Sequence, residues 1–162
     1  MDSIALSPIS TGFSHLLYKP LSSYDLYLVN TAALRVLLPH SQYGLTLTNY
    51  VVQNLGQMPS QSDGMVMDAD GRLYYGQLSL NAVYSWDTKQ GKLTDSNQFV
   101  VIQNDTDLQW PDTFAMDTAG NVFVTSNKLP RFRTNTYNFT DINFRVIRFH
   151  VGSKNYMYSD GS

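Results

Sequence analysis

The 162-residue sequence has no cysteine, which excludes disulfide frameworks, thiol catalysis and thiolate-bound zinc. It has no glutamate either: all 13 acidic residues are aspartate. Glutamate is a favoured helix former, so few helices are expected. No apolar run exceeds a few residues, far below the roughly 18 to 20 needed to span a bilayer, and no membrane insertion is expected. Charge is sparse as well, at 15% of residues with a net charge of −2, which gives no electrostatic reason to expect a nucleic-acid partner. The segment Met1-Asp2-Ser3-Ile4-Ala5-Leu6-Ser7-Pro8 offers neither a basic start nor an apolar stretch of the kind a secretory signal requires.

What is present suits pleated strands. The chain is 43% hydrophobic and 13% aromatic, with 11 tyrosines, and Asn, Ser, Thr, Asp and Gly fill the intervals. Aromatic and β-branched residues separated by turn formers predict an all-β fold.

The chain also repeats. Met67-Asp68-Ala69-Asp70-Gly71-Arg72-Leu73-Tyr74-Tyr75 aligns with Met116-Asp117-Thr118-Ala119-Gly120-Asn121-Val122-Phe123-Val124, each an apolar strand, an Asp-x-x-Gly turn and a second strand. Leu26–Thr31 matches the run from Ala82 to Thr88, and Tyr50–Asn54 matches Val100–Asn104. The predicted strands are Ile4–Ser7, His15–Leu21, Leu26–Leu34 and Tyr50–Asn54, then Met65–Asp68, Arg72–Leu78, Ala82–Asp87 and Phe99–Gln103. Thr113–Asp117, Asn121–Asn127 and Phe144–Val151 complete the set. Four short antiparallel strands per period is the pattern of a β-propeller, with blades of approximately residues 1–60, 61–108 and 109–158.

Propellers close with roughly four to eight blades, and about three are present, the last lacking its outer strand. The sequence therefore predicts a partial propeller, the C-terminal half of a six-bladed ring. Its partners are either a missing N-terminal half, which would also supply the signal peptide, or further copies that associate through the open strand edges.

Strand direction places candidate ligand groups. The loop entering the first strand of a blade shares a face with the loop leaving the second. Asp2 and Ser3 thus join Ser22 and Ser23, Ser62 and Asp63 join Gln77 and Ser79, and Asp112 and Thr113 join Ser126 and Asn127. Together they ring the mouth of the central channel, where a few polar groups can hold a small ligand. The Asp68-Ala69-Asp70-Gly71 segment lacks the later oxygen ligands of a calcium loop and reads as a β-turn. His15, His40 and His150 show no metal spacing, and no catalytic motif or cofactor site is read. Trp86, Trp110, Tyr74, Tyr84, Phe99, Phe114 and Phe123 read as packing between blades. Asn104-Asp105-Thr106 and Asn138-Phe139-Thr140 are N-glycosylation acceptor patterns, with Asn138 in the long polar connection Pro130–Asn143.

Several phrases, in order, resemble the C-terminal half of the insect Yellow / major royal jelly protein family. They are Ala5-Leu6-Ser7-Pro8, Leu17-Tyr18-Lys19-Pro20-Leu21-Ser22-Ser23, Asn81-Ala82-Val83-Tyr84-Ser85-Trp86-Asp87, Trp110-Pro111-Asp112-Thr113-Phe114-Ala115-Met116-Asp117, Ser126-Asn127-Lys128-Leu129-Pro130 and Asp141-Ile142-Asn143-Phe144-Arg145-Val146. The resemblance implies a secreted, glycosylated six-bladed propeller. It also implies one of three roles: binding of a small amine or catechol-derived ligand, melanin-pathway catalysis such as dopachrome conversion, or a nutritive or structural secretion. In amine-binding relatives a Thr and an Asn line the pocket, matching Thr113 and Asn127, with Asp112, Ser126 and Phe114 beside them. The aromatic expected near the Asn is replaced by Leu129, so a stacking ring must come from Phe132 or Phe114. Calcium-dependent lactonase-type propellers resemble a Glu–Asn–Asp arrangement that a chain without Glu cannot supply.

Overall fold

The computed structural model describes residues 2–35 and 52–158. Among these, four strands form the first sheet: β1 (Ser3–Leu6), β2 (His15–Lys19), β3 (Asp25–Asn30) and β4 (Gln53–Gln57). The second sheet holds β5 (Met65–Met67), β6 (Arg72–Gln77), β7 (Ala82–Asp87) and β8 (Gln98–Gln103). The third has three strands: β9 (Pro111–Met116), β10 (Asn121–Ser126) and β11 (Arg145–His150). Every pairing is antiparallel. One short α-helix, α1 (Leu129–Arg133), lies in the connection the sequence reads as irregular.

Local chemistry makes the repeated turn. Asp68 Oδ1 accepts from the backbone N–H groups of Asp70 and Arg72, and Gly71 takes the left-handed φ of +85° that the turn demands. Asp117 does the same for Ala119 and Asn121, with Gly120 at φ +81°. These carboxylates cap their turns, the β-turn role the sequence predicts for Asp68 and Asp117. In the first sheet Ser7 replaces the aspartate, its hydroxyl accepting from His15 N at 3.0 Å.

Two predicted strands are displaced. The strand expected over Leu26–Leu34 ends at Asn30, whose side chain accepts from Ala32 N and starts a 3-10 turn over Thr31–Leu34. The one expected at Tyr50–Asn54 lies partly outside the described residues; the observed β4 runs through Gln57, past a register shift opposite Leu26/Tyr27 where Gly56 adopts φ +124°. His40 also lies outside the described residues.

The sheets stack face on face, with β5 touching β1 on one side and β9 on the other. Ala5, Leu17 and Leu26 of the first sheet pack against Met65, Leu73, Tyr75 and Trp86 of the second. On its other side the second sheet packs Val66, Tyr74 and Val83 against Met116, Val122 and Val124 of the third. Close approach at the second junction needs bare backbone: a Cβ on Gly64 would overlap the Asp112 carbonyl, and one on Gly76 would stand 2.7 Å from the Pro111 carbonyl oxygen. Trp86 and Tyr74 are buried as expected, whereas Phe99 is exposed because β8 is the outer strand of its sheet. This is a partial β-propeller, and among the described residues its third blade has three strands and no fourth, outermost one.

After β11 the chain returns along the end opposite the proposed mouth. Val151 N donates to Gly120 O, Asn155 N to Asp117 O, Ala69 N to Lys154 O, and Ile9 N to Tyr156 O. The tail is thereby bonded to all three sheets.

Candidate functional site

One sequence offset recurs at this end. Asp2, Asp63 and Asp112 each stand four residues before the equivalent positions Leu6, Met67 and Met116, although an irregularity in the third blade puts Pro111 rather than Asp112 opposite Ser126. Each carboxylate is held differently. Asp2 Oδ2 accepts from Leu21 N at 2.8 Å, which lowers its pKa. Asp63 Oδ2 accepts from Trp110 Nε1 at 2.7 Å, and Asp112 Oδ2 from Asn127 Nδ2 at 3.0 Å. Burial pushes the Asp63 carboxyl up; the Trp110 bond opposes that, and the charges of Asp112 and Asp2 add to it. The three blades therefore place three carboxylates at one end, and the charge of two of them acts on the third, Asp63. The signal lay in the sequence as an aspartate at a constant offset from each inner strand's last apolar residue.

A bulge shapes the third blade's share of this end. Val124 pairs with Phe114 but Ser126 with Pro111, so Asp112 and Thr113 together oppose the single residue Thr125. Thr113 N finds its partner in the Thr125 hydroxyl at 3.0 Å, and Thr113 Oγ1 donates to Asp112 Oδ1 at 3.1 Å. Asn127 is fixed at both ends of its amide, Oδ1 accepting from Leu129 N at 2.9 Å. Thr113, Asp112 and Asn127 thus form one bonded group.

A hollow of about 340 Å³ is lined by Asp112, Thr125, Ser126, Asn127, Phe144 and Arg145, among others. A second, of about 440 Å³, shares Asn127 and Phe144 and adds Leu129, Phe132, Tyr137 and Phe139. Thr113 lines neither but reaches the first through Asp112. Phe114 packs between the second and third sheets, while Phe132 lines the aromatic hollow beside Asn127. Phe132, Tyr137 and Phe139 meet edge to face at centroid separations of 6.0 and 5.1 Å. This excursion is anchored by Lys128 and Arg131, which converge on Asp141, and by Asn143 Nδ2, which donates to the carbonyls of Asn138 and Asp141. A further hollow, about 560 Å³, lies at the opposite end between the first two sheets and includes His15, Asp70 and Lys89.

Sequence reasoning also missed Lys19, which is fully buried where β2 ends at the mouth. Its Nζ donates to the Ser23 carbonyl, and burial pulls its pKa down to about 8 against the opposing charge of Asp25. The acceptor asparagines Asn104 and Asn138 are both exposed. Asn104 Nδ2 donates to Asp107, whereas Asn138 is bonded through its Oδ1, which accepts from Thr140 N and Oγ1.

Comparison with known proteins places this geometry in a family. Major royal jelly protein 1 of Apis mellifera is 30% identical over 165 residues, covering 93% of this chain and 36% of that protein. Protein yellow of Drosophila melanogaster is 29% identical over 146 residues, covering 88% of this chain and 26% of that protein. The chain thus spans about a third or a quarter of the length of these relatives. Among solved structures, a luciferin-regenerating enzyme matches with TM-score 0.63 at 14% identity, over 96% of this chain and 47% of its own. A chain of a nidogen/laminin complex matches with TM-score 0.55 at 10% identity, over 93% of this chain and 49% of its own. At these identities the structural likeness establishes the fold alone. The family model for the major royal jelly proteins matches residues 1–156, and the chain belongs to that family.

Proposed function

We propose that this chain supplies the recognition rim of a secreted propeller that binds a small amine or catechol-derived ligand at the channel mouth. The observation that carries the reading is the convergence of Asp2, Asp63 and Asp112 on one end of the three blades, with the Asp63 carboxyl, held by Trp110, responding to the charge of the other two. A partly buried carboxylate with two others acting on it favours a cation, and an ammonium group offers both the charge and the N–H donors that carboxylates accept from. Asn127 and the hydroxyl of Thr113 orient polar groups beside them, while Phe132 and Phe144 provide ring surface across the adjoining hollow.

Calorimetric titration with dopamine, serotonin and histamine, and with catechol as the ring lacking the amine, tests the reading. Heat is expected with at least one amine and none with catechol alone. No heat with all three amines rejects it.

A further inference from the structure

The junction between the first and second sheets departs from the one between the second and third. His15, Arg72 and Asn121 open the second strand of each sheet and pair with Asn30, Asp87 and His150. In that frame Leu17 stands where the second sheet has Tyr74. Both side chains face the following sheet, Leu17 in the cluster with Met65 and Met67, Tyr74 in the cluster with Met116 and Val122. The Tyr74 ring fills its junction: it is 3% exposed, and its hydroxyl donates to Asp68 Oδ2 at 3.1 Å. At the first junction that ring is missing, and Ser7 holds the place of Asp68. The hollow of about 560 Å³ opens there, walled by Ser7, Leu17, Leu28 and Met67 and bordered by Tyr158 of the returning tail. Packed interiors rarely leave such a space, and its volume is that of a small-molecule site.

The same frame picks out two charges on the second sheet's side of the hollow. Asp70 and Lys89 correspond to Ala119 and Gly152 of the third blade, so neither charge belongs to the repeat itself. Both line this hollow and also a neighbouring one of about 380 Å³. Other charges nearby are engaged: Arg72 lies 3.7 Å from Asp87, and Asp68 holds Tyr74 and its own turn. Asp70 and Lys89 donate through their backbone N–H groups to Asp68 and Asp87, and among the described residues their charged ends have no partner. We propose that this hollow is a second ligand site, away from the channel mouth, and that it takes a free aromatic α-amino acid. The ring enters the place that Tyr74 fills at the next junction, against Leu17, Leu28 and Met67. The ligand's ammonium meets Asp70 and its carboxylate meets Lys89. A zwitterion satisfies both charges, whereas a simple amine or a simple acid leaves one of them unpaired. This inference does not depend on what binds at the mouth.

Calorimetric titration of the chain with L-phenylalanine and L-tyrosine tests it, alongside L-alanine, which lacks the ring, and 3-phenylpropionate, which lacks the ammonium. Heat is expected with at least one aromatic amino acid, and binding about tenfold weaker or undetectable with the two truncated probes. Two variants assign that heat to this hollow. Leu17→Tyr restores the ring of the second sheet and should abolish binding while keeping the thermal midpoint or raising it. Lys89→Ala, at an exposed side chain, should weaken binding about tenfold with an unchanged far-UV spectrum. Should Leu17→Tyr fail to fold, Lys89→Ala and the truncated probes decide the matter by themselves. No heat with either aromatic amino acid overturns the proposal. Equal affinity for alanine or 3-phenylpropionate, or undiminished affinity in Lys89→Ala, overturns it as well.

Discussion

Trp110, at the entrance to β9, donates its indole N–H to the carboxylate of Asp63 at the entrance to β5, 2.7 Å away. The bond ties the second and third blades together at the mouth and sets a charge in a partly buried place. Asp63 therefore answers to two demands, one structural and one electrostatic, and these can be separated.

Asp63→Asn keeps an acceptor for Trp110 and removes the charge. Because the folded-state pKa is raised, the wild type gains stability from this group as pH falls through that pKa, and the ionised form at neutral pH is a cost. The variant is expected to match the wild type or exceed it by about 1 kcal/mol in urea unfolding at pH 7. Amine affinity should fall about tenfold, worth roughly 1.4 kcal/mol. A clear loss of stability would show that the fold itself needs the charge.

Gly64→Ala has no conformational penalty, since Gly64 is not in the left-handed region, yet its new methyl would overlap the Asp112 carbonyl. Overpacking at a backbone contact should cost about 2–3 kcal/mol and separate the second and third blades. Gly12→Ala, in open space at φ +65°, should cost only the strain of that conformation, about 1–2 kcal/mol. Thermal unfolding of the two variants side by side checks the order.

Lys19 predicts an alkaline rise in stability. Its pKa falls from 10.5 to about 8 on folding, so between those values the unfolded chain holds more protons and stability increases with pH. Above about pH 10 the trend reverses, because burial holds Tyr74 and Tyr75 neutral in the folded state while their unfolded counterparts ionise. Lys19→Met should be as stable as the wild type or more so at pH 7, and should flatten the rise between pH 8 and 10. Denaturant midpoints across that range measure it, with an expected difference on the order of 2 kcal/mol.

Glycosylation should favour Asn138 over Asn104. Both side chains are exposed, but the attachment nitrogen of Asn104 is hydrogen-bonded to Asp107, whereas Asn138 is held through its Oδ1. In a eukaryotic secretory host, Asn138→Gln should remove the glycan mass shift and Asn104→Gln should leave most of it. The opposite pattern would reverse the assignment.

The inner two strands of each blade were legible because their signals are local: an apolar run, an Asp-x-x-Gly turn, another apolar run. The edges were less so. Asn30 ends β3 with a side-chain cap that competes with strand extension, and β4 slides past a glycine-centred irregularity that no alternation pattern announces. At the site, strand direction was enough to group Asp112, Thr113, Ser126 and Asn127. It could not show that Phe114 turns into the blade junction while Phe132 reaches the hollow, because the bulge opposite Thr125 and helix α1 decide which rings face where. Lys19 was hidden for a different reason. A lysine at a strand end reads as solvated, and only the packing of the neighbouring blade buries it.

The returning tail from Val151 to Tyr156 changes how the molecule comes apart. In an array of repeats whose units touch only their neighbours, an end unit can melt while the rest persists. Here one segment bonds to Gly120 and Asp117 in the third blade, Ala69 in the second and Ile9 in the first. Loss of either terminal blade therefore strains the strap and weakens its hold on the other, which makes denaturation a single concerted event. It also means that the stretch after β11 locks the three sheets, so a nascent chain holds them together in this way only after residues 151–156 have left the ribosome.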